Sequence, residues 1–458
     1  MELSGPPLTP PRVLPSPRPL GGFAFVRTFV GNPLAALPSS VYEEDYVEVG
    51  TRDPPRMWVS APALIKAVLL DEREKFGKLT QIRLLSPLLG KGILTSEGAD
   101  WKWQRQAAAP MFRPQDLAGF VPAFVRAADS TIARWRANPG AIRAIDEDMT
   151  RATFDVIAST LLPSADQSFA DTVQGCIRTL QRYGGWDILF AQMGLPRWVP
   201  KPGMFAEPRV VRTLRGVVMN LLHELRDRRK EVDSHDDLMS RLIAARDPET
   251  GRSMDEEQLV DNLLTFYLAG HETTAKALTW TLYLLARSPR WAAALEDEVA
   301  RVVGNGPVRS EHIDRLVLVE QVLKESMRLY PPVPAMTRQA IADARIGEHA
   351  VPKGSSVLMS IYAIHRHAKR WERPHEFDPA RFAPANEASI PRYQYMPFGA
   401  GPRICIGMPF AMIEATAILA TLLQRARFEW AGKEEPVPVA RVTLIPKGGM
   451  PLKVTLKG

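Results

Sequence analysis

Cysteine is nearly absent: Cys176 and Cys405 are the two in 458 residues. Two thiols cannot support a disulfide framework, one cysteine alone does not make a four-ligand zinc site, and there are too few cysteines for an iron–sulfur cluster. A reducing compartment, the cytoplasm, is therefore the expected location. Long apolar runs are missing too. The most hydrophobic window, residues 259–286, is broken by Asp261, His271, Glu272 and Lys276, which suits a buried core helix and not a bilayer span. The first twenty residues carry seven prolines and no apolar run, so they fit neither a signal peptide nor a membrane anchor. Residues 1–40 read as a proline-rich arm, extended over the surface. A formal charge of +7 comes without a basic run or aromatic–basic interleaving, which argues against a nucleic-acid partner.

What is present supports one large, mostly helical unit. Apolar residues make up 45% of the chain, enough for an extensive core. Two short strands are expected at 45–51 and 56–61, joined by Pro54–Pro55. From 100 to 254 the pattern is helix after helix, with breaks near Pro110, Asn138–Pro139, Pro163 and Gly184–Gly185 and a looser stretch at 194–208. A turn at 247–253 ends in Ser253, which with Glu256 forms a capping-box signature for a long helix reaching about Ser288. A second strong helix is expected from His312 to Leu329, ended by Pro331–Pro332. Beyond it, short β-type runs replace long helices, and the C-terminus reads as a hairpin with Gly448–Gly449 near its tip. No internal repeat or appended second domain is evident.

Residues 398–407, FGAGPRICIG, place Cys405 on a loop punctuated by Gly399, Gly401 and Pro402, just ahead of a helix that tolerates Pro409 in its first turn. A buried structural cysteine is the ordinary fate of such a residue. A lone thiolate can instead be an axial ligand of haem iron, with glycines letting backbone approach a flat group and helix-start amides facing the sulfur. In the long helix, residues 269–274, AGHETT, put a glycine, an acid and two alcohols inside an apolar helix, a violation of local preference that calls for a reason. An acid beside an alcohol suits a proton relay to a buried site.

The cysteine segment resembles the haem-binding loop of the cytochrome P450 superfamily, Phe-x-x-Gly-x-Arg-x-Cys-x-Gly, matched by Phe398, Gly401, Arg403, Cys405 and Gly407. AGHETT resembles the family's oxygen-activation motif. The resemblance implies that Ala269 and Gly270 lie against haem, that Thr273 steadies bound dioxygen and that Glu272 supplies protons for splitting it. KESMRLYPP resembles the family's Glu-x-x-Arg element through Glu325 and Arg328, and residues 372–382 its partner segment, in which Arg381 would complete a structural network. Arg403, Arg338 and the Trp101-x-x-x-Arg105 element would meet the haem propionates.

The fold so implied, covering 41–458 as a single domain, is mainly α with small β sheets. Haem b (iron protoporphyrin IX) would be buried between the long oxygen-activation helix and the cysteine-loop helix. The implied activity is that of a haem-thiolate monooxygenase that hydroxylates or epoxidises an apolar molecule with O₂. Electrons would come from NAD(P)H through a separate ferredoxin and ferredoxin reductase, for whose docking a basic surface is suited. The expected substrate is lipophilic, a fatty acid or terpenoid, held by a loop from Lys78 to Leu94 and by Phe266, Val333, Ala335, Met336, Leu444 and Ile445. A peroxide-dependent or non-oxygenase haem-thiolate enzyme, or a haem-based sensor without turnover, is the alternative; it leaves Glu272 and Thr273 unexplained.

Overall fold

The computed structural model of the chain describes residues 6–49, 53–161, 167–196, 198–231, 242–247 and 250–457. Its longer helices are α1 (Gly22–Gly31), α2 (Leu79–Leu89), α3 (Gly98–Ala108), α4 (Val121–Arg136), α5 (Ile145–Leu161), α6 (Gln167–Met193), α7 (Ala206–Glu231), α8 (Glu256–Arg287), α9 (Pro289–Val302), α10 (Val317–Leu329) and α11 (Met408–Arg425). Around them lie short strands: β1 (Tyr46–Val49), β2 (Arg56–Val59), β3 (Phe76–Gly77), β4 (Ile142–Ala144), β5 (Met336–Ala340), β6 (Ala344–Ile346), β7 (His349–Val351), β8 (Ser356–Met359), β9 (Ala426–Trp430), β10 (Val437–Ala440), β11 (Leu444–Lys447) and β12 (Pro451–Leu456). The largest sheet runs β1-β2-β8-β5-β3. The architecture is mainly α with small sheets, as expected.

α8 is the axis. Most of its side chains are buried, and it packs against α5, α7, α10 and α11. Its start differs from the expected one. The cap is Asp255, whose side chain accepts from the Gln258 amide at 2.8 Å while Gln258 answers back, so the capping box lies two residues beyond Ser253. Ser253 is instead bridged to Arg246. Pro289 does not merely stop α8; it opens α9 at a first-turn position where its missing N–H costs nothing.

Three other expectations are corrected. α6 runs through Gly184–Gly185, because a Cβ at Gly185 would sit 2.3 Å from the Val30 carbonyl: the glycine serves close packing of α1, not a break. The helix expected from His312 divides into a turn at Ser310–Ile313 and α10. The C-terminal strands do not form one hairpin: β11 pairs with β10, while β12 pairs with β4 and β9, so Gly448–Gly449 carries the chain from one sheet to another. The expected break at Pro163 and the end of the first strand at 50–51 lie outside the described residues, as does part of the 247–253 turn. Within 1–40, residues 8–16 are pinned by bridges from Leu8 to Phe377 and Ser16 to Pro38, and α1 follows as a helix.

The segment before α11 is held from α10. Glu325 accepts from Arg328 Nε at 2.6 Å and Nη2 at 2.8 Å, both side chains being 0% exposed. Arg381 approaches the same carboxylate at 3.6 Å, and the Asp378 amide donates to it at 2.9 Å. Arg328 spends its remaining donors on the carbonyls of His365, Pro374 and Glu376. His365 is kept neutral, its pKa pushed down to about 3 by burial and by Arg328 and Arg366, so its Nε2 accepts the Met396 amide at 2.9 Å.

Two measurements follow. Asp255→Ala is expected to cost about 1 kcal/mol in urea unfolding, against roughly 0.5 kcal/mol or less for Ser253→Ala. Glu325→Ala strands a buried guanidinium and is expected to cost about 3–5 kcal/mol or prevent folding.

Candidate active site

Phe398 to Gly407 form a tight loop. The Cys405 amide donates to the Phe398 carbonyl at 2.9 Å and the Ile404 amide to Gly401 at 3.1 Å, turning the sulfur inward. Gly401 has φ +71°, and a Cβ there would fall 2.5 Å from the Leu69 carbonyl. Its requirement is thus contact with the sheet-side backbone, not approach to a flat ligand as expected, and it does not line the cavity. Cys405 is exposed, but its exposed surface faces a cavity of about 340 Å³ that it lines, and the surrounding protein still desolvates the sulfur. Burial pushes the thiol up; the Gly407 amide, Arg105 and the Met408 amide at the start of α11 pull it down.

Across the same cavity runs α8, which contributes Thr265, Phe266, Ala269, Gly270, Thr273 and Thr274. At Gly270 a Cβ would meet Ile157 of α5 at 2.8 Å, so this glycine also brings two helices together. The Thr273 hydroxyl donates to the Ala269 carbonyl at 2.7 Å, leaving its lone pairs for the cavity. Glu272 points elsewhere: it accepts from Thr443 Oγ1 at 2.7 Å and does not line the cavity. On α11 beneath, Glu414 is fully buried and its carboxyl is held well above the usual range by burial, the Thr274 hydroxyl acting in the opposite sense.

A cationic rim closes one edge. Trp101, Arg105, Arg338 and Arg403 all line the cavity. Arg403 stacks on Trp101, its guanidinium carbon 3.8 Å from the ring centroid, and donates to the Ser96 carbonyl. Arg105 donates to Ile404, and Arg338 to Gln81 and Thr337. Lys78, not expected as a site cation, belongs here too and donates to the Leu94 carbonyl. Burial, Arg403 and Arg338 push Lys78 down to about 7, while burial lowers Arg338 and Arg403 to about 10. Glu97 is the carboxylate countering all three. A rim so crowded with like charge is built for an anionic group.

The apolar wall is partly as expected. Phe266, Val333 and Met336 line the cavity, joined by Ile93, Leu94 and Ile157. Ala335, Leu444 and Ile445 are not among its lining residues. Leu444 is fully buried, its amide bonded to Pro332 and its carbonyl to the Trp280 indole, because β11 pairs with β10 behind the 331–334 segment. The expected loop from Lys78 to Leu94 is largely α2, and only its ends and Gln81 reach the cavity. Glu325, Arg328 and Arg381 are brought together as anticipated, away from the cavity.

Comparison with known proteins gives the same direction. The Cytochrome P450 family model matches residues 44–453. The chain is 34% identical to a cytokinin hydroxylase of Arabidopsis thaliana, over 87% of this chain and 78% of that protein. It is 32% identical to cyclooctatin synthase of Streptomyces melanosporofaciens, over 94% and 91%. With cyclooctat-9-en-7-ol 5-monooxygenase of the same organism the identity is 31%, over 89% and 86%. Such relatives make the protein a haem-thiolate monooxygenase, dependent on a redox partner and acting on a small molecule. None of the helices among the described residues is long and apolar enough to cross a membrane. The chain belongs to the cytochrome P450 family.

Proposed function

We propose that the cavity holds haem b, which Cys405 would hold through its sulfur on the iron and whose two carboxylates Arg105, Arg338, Arg403 and Lys78 would meet. The observation that carries this is the pairing of one inward-facing sulfur with a buried cationic rim on a single cavity. Burial alone raises the Cys405 thiol, so a cation in the cavity is what this loop needs to keep a thiolate. Phe398, Gly407, Ala269 and Gly270 would border the group, and Trp101 would fix Arg403. When bound, haem supplies activation of O₂, with one oxygen atom passing to substrate and the other leaving as water.

Thr273 would be the side chain to meet dioxygen: its lone pairs face the cavity, and its proton can turn away from the Ala269 carbonyl to donate. Glu272 sits one residue away on the outer side, hydrogen-bonded to Thr443, and is placed to take protons from the solvent side of α8. Phe266, Val333 and Met336 favour a lipophilic substrate, a fatty acid or terpenoid. Relatives named for cyclooctat-9-en-7-ol and 11-oxo-beta-amyrin support a lipophilic, multi-carbon molecule. Residues 41–458 would be one haem domain behind a 1–40 arm, supplied with electrons from NAD(P)H by a separate ferredoxin and its reductase in the cytoplasm.

The test is the CO-difference spectrum of the dithionite-reduced protein beside Cys405→Ser. A strongly red-shifted Soret band is expected in wild type and lost in the variant; the same ordinary band in both would overturn the thiolate assignment. Lys78 gives a pH signature. With its pKa held near 7 by the protein alone, haem carboxylates would restore the charged form, so haem binding would take up a proton above that pH. Apparent haem affinity is then expected to fall by up to about tenfold per unit as pH rises above about 7. Over the same range the apoprotein gains stability, since the unfolded lysine binds the extra proton. Haem-transfer rates in wild type should show this dependence, and Lys78→Met should flatten it.

A further inference from the structure

The roof of the cavity is tied down by one carboxylate. Asp261 of α8 is 2% exposed, and both its oxygens are taken. Oδ1 accepts from Arg215 Nη1 of α7 at 2.5 Å, and Oδ2 accepts from the Lys91 amide at 2.7 Å. The next residue continues the grip: Asn262 Oδ1 accepts from the Ile93 amide at 2.9 Å. Asn262 also donates to Gln104 of α3, which donates in turn to the Lys91 carbonyl. In the loop between α2 and α3 the Lys91 and Ile93 amides and the Lys91 carbonyl are therefore met by side chains of two helices, while the Gly90, Gly92, Thr95 and Ser96 amides are paired within local turns.

Contact is close enough to dictate sequence. Gly90 has φ +51°, and a Cβ there would fall 2.2 Å from Asp261 Oδ2. At Gly92 a Cβ would lie 2.5 Å from Thr265 Oγ1 and 2.8 Å from the Asp261 carbonyl. The loop backbone rests directly on α8, and its next two side chains, Ile93 and Leu94, line the cavity. One turn along α8, Thr265 and Phe266 do the same. Arg215 is 26% exposed and has a second carboxylate, Glu257, at 3.7 Å. Glu257 is 82% exposed, so the guanidinium has a solvent-side partner to turn to when it leaves Asp261.

We propose that Asp261 is a positioning residue for the oxygenation reaction: it locks α7 and the 90–94 loop onto one turn of α8, and release of Arg215 to Glu257 frees the Ile93–Leu94 roof for bulky molecules to pass. The inference rests on the cavity being the haem and substrate site. Asp261 touches neither; it acts through the loop it holds.

The experiment uses the haem-loaded full chain with two iron ligands, CO as the small probe and 4-phenylimidazole as the bulky one. Asp261→Asn keeps an acceptor for the Lys91 amide but loses the ion pair; Arg215→Gln loses it from a partly exposed helix and serves if the first variant does not fold. Both are expected to bind and release 4-phenylimidazole at least about fivefold faster than wild type, with CO association within about twofold. Arg215→Lys, which keeps the pair, should stay close to wild type. Amide hydrogen exchange supplies a readout independent of the iron: Lys91 and Ile93 should exchange roughly tenfold faster in the first two variants. Unchanged 4-phenylimidazole rates and unchanged exchange would overturn the proposal. A wild type lacking the red-shifted CO band would instead overturn the haem-site reading, and the exchange at Lys91 and Ile93 would still decide whether Asp261 holds the loop.

Discussion

A buried carboxylate, Glu325, holds the cysteine loop in place, and the site depends on it. Its ion pair with Arg328 is fully shielded from water, where an unmatched charge of either sign is far more costly than a broken surface pair. Arg328 passes that fixity on through the His365 carbonyl, and neutral His365 passes it to the Met396 amide. Met396 in turn accepts from Gly399, the turn that delivers Cys405. The first two links join buried partners and the last reaches half-buried Gly399, so the sulfur's position is set by residues that never touch it. The pair itself need contribute little net stability; its use is that only one backbone arrangement satisfies all of Arg328's donors.

The chemistry divides between two helices of opposite character. α11 supplies its start, with amides that stabilise a thiolate. α8 supplies its middle, where Thr273 turns inward and Glu272 outward. Adjacent residues on a helix point about 100° apart, and that offset is what lets one member of the acid–alcohol pair face the cavity while the other contacts the outer shell.

Much of this was legible in the sequence because it is local. Phe398 to Gly407, AGHETT and Glu325 with Arg328 are contiguous stretches whose spacing already encodes their geometry, and long periodic helices such as α8 and α10 announce themselves. What could not be read was assembly across distance. Lys78 joins Arg338 and Arg403 only because three separated segments converge, and a lone lysine between strand and helix carries no signal of that. Leu444 and Ile445 were misplaced for a related reason: alternation identifies a strand but not its partner, and β11 pairs behind the cavity wall, not at its mouth. The cap of α8 slipped by two residues since Ser253-x-x-Glu256 and Asp255-x-x-Gln258 satisfy one pattern, and the backbone bridge to Arg246 removes the serine from contention. Gly185 was read as a breaker when its lack of a side chain serves α1.

The cavity lies on a seam. On one side is the large helical core with Phe266, Ile157 and Phe410; on the other, a smaller core built on the β1-β2-β8-β5-β3 sheet with Met359, Met396 and Ala400. The cavity draws its walls from both. A flat group with an apolar body and an anionic edge would complete two incomplete surfaces at once, acting as a third core that neither half contains. The consequence is one of joinery: a group bound there would be buried by both cores together and by neither alone, so its binding would stabilise the contact between them.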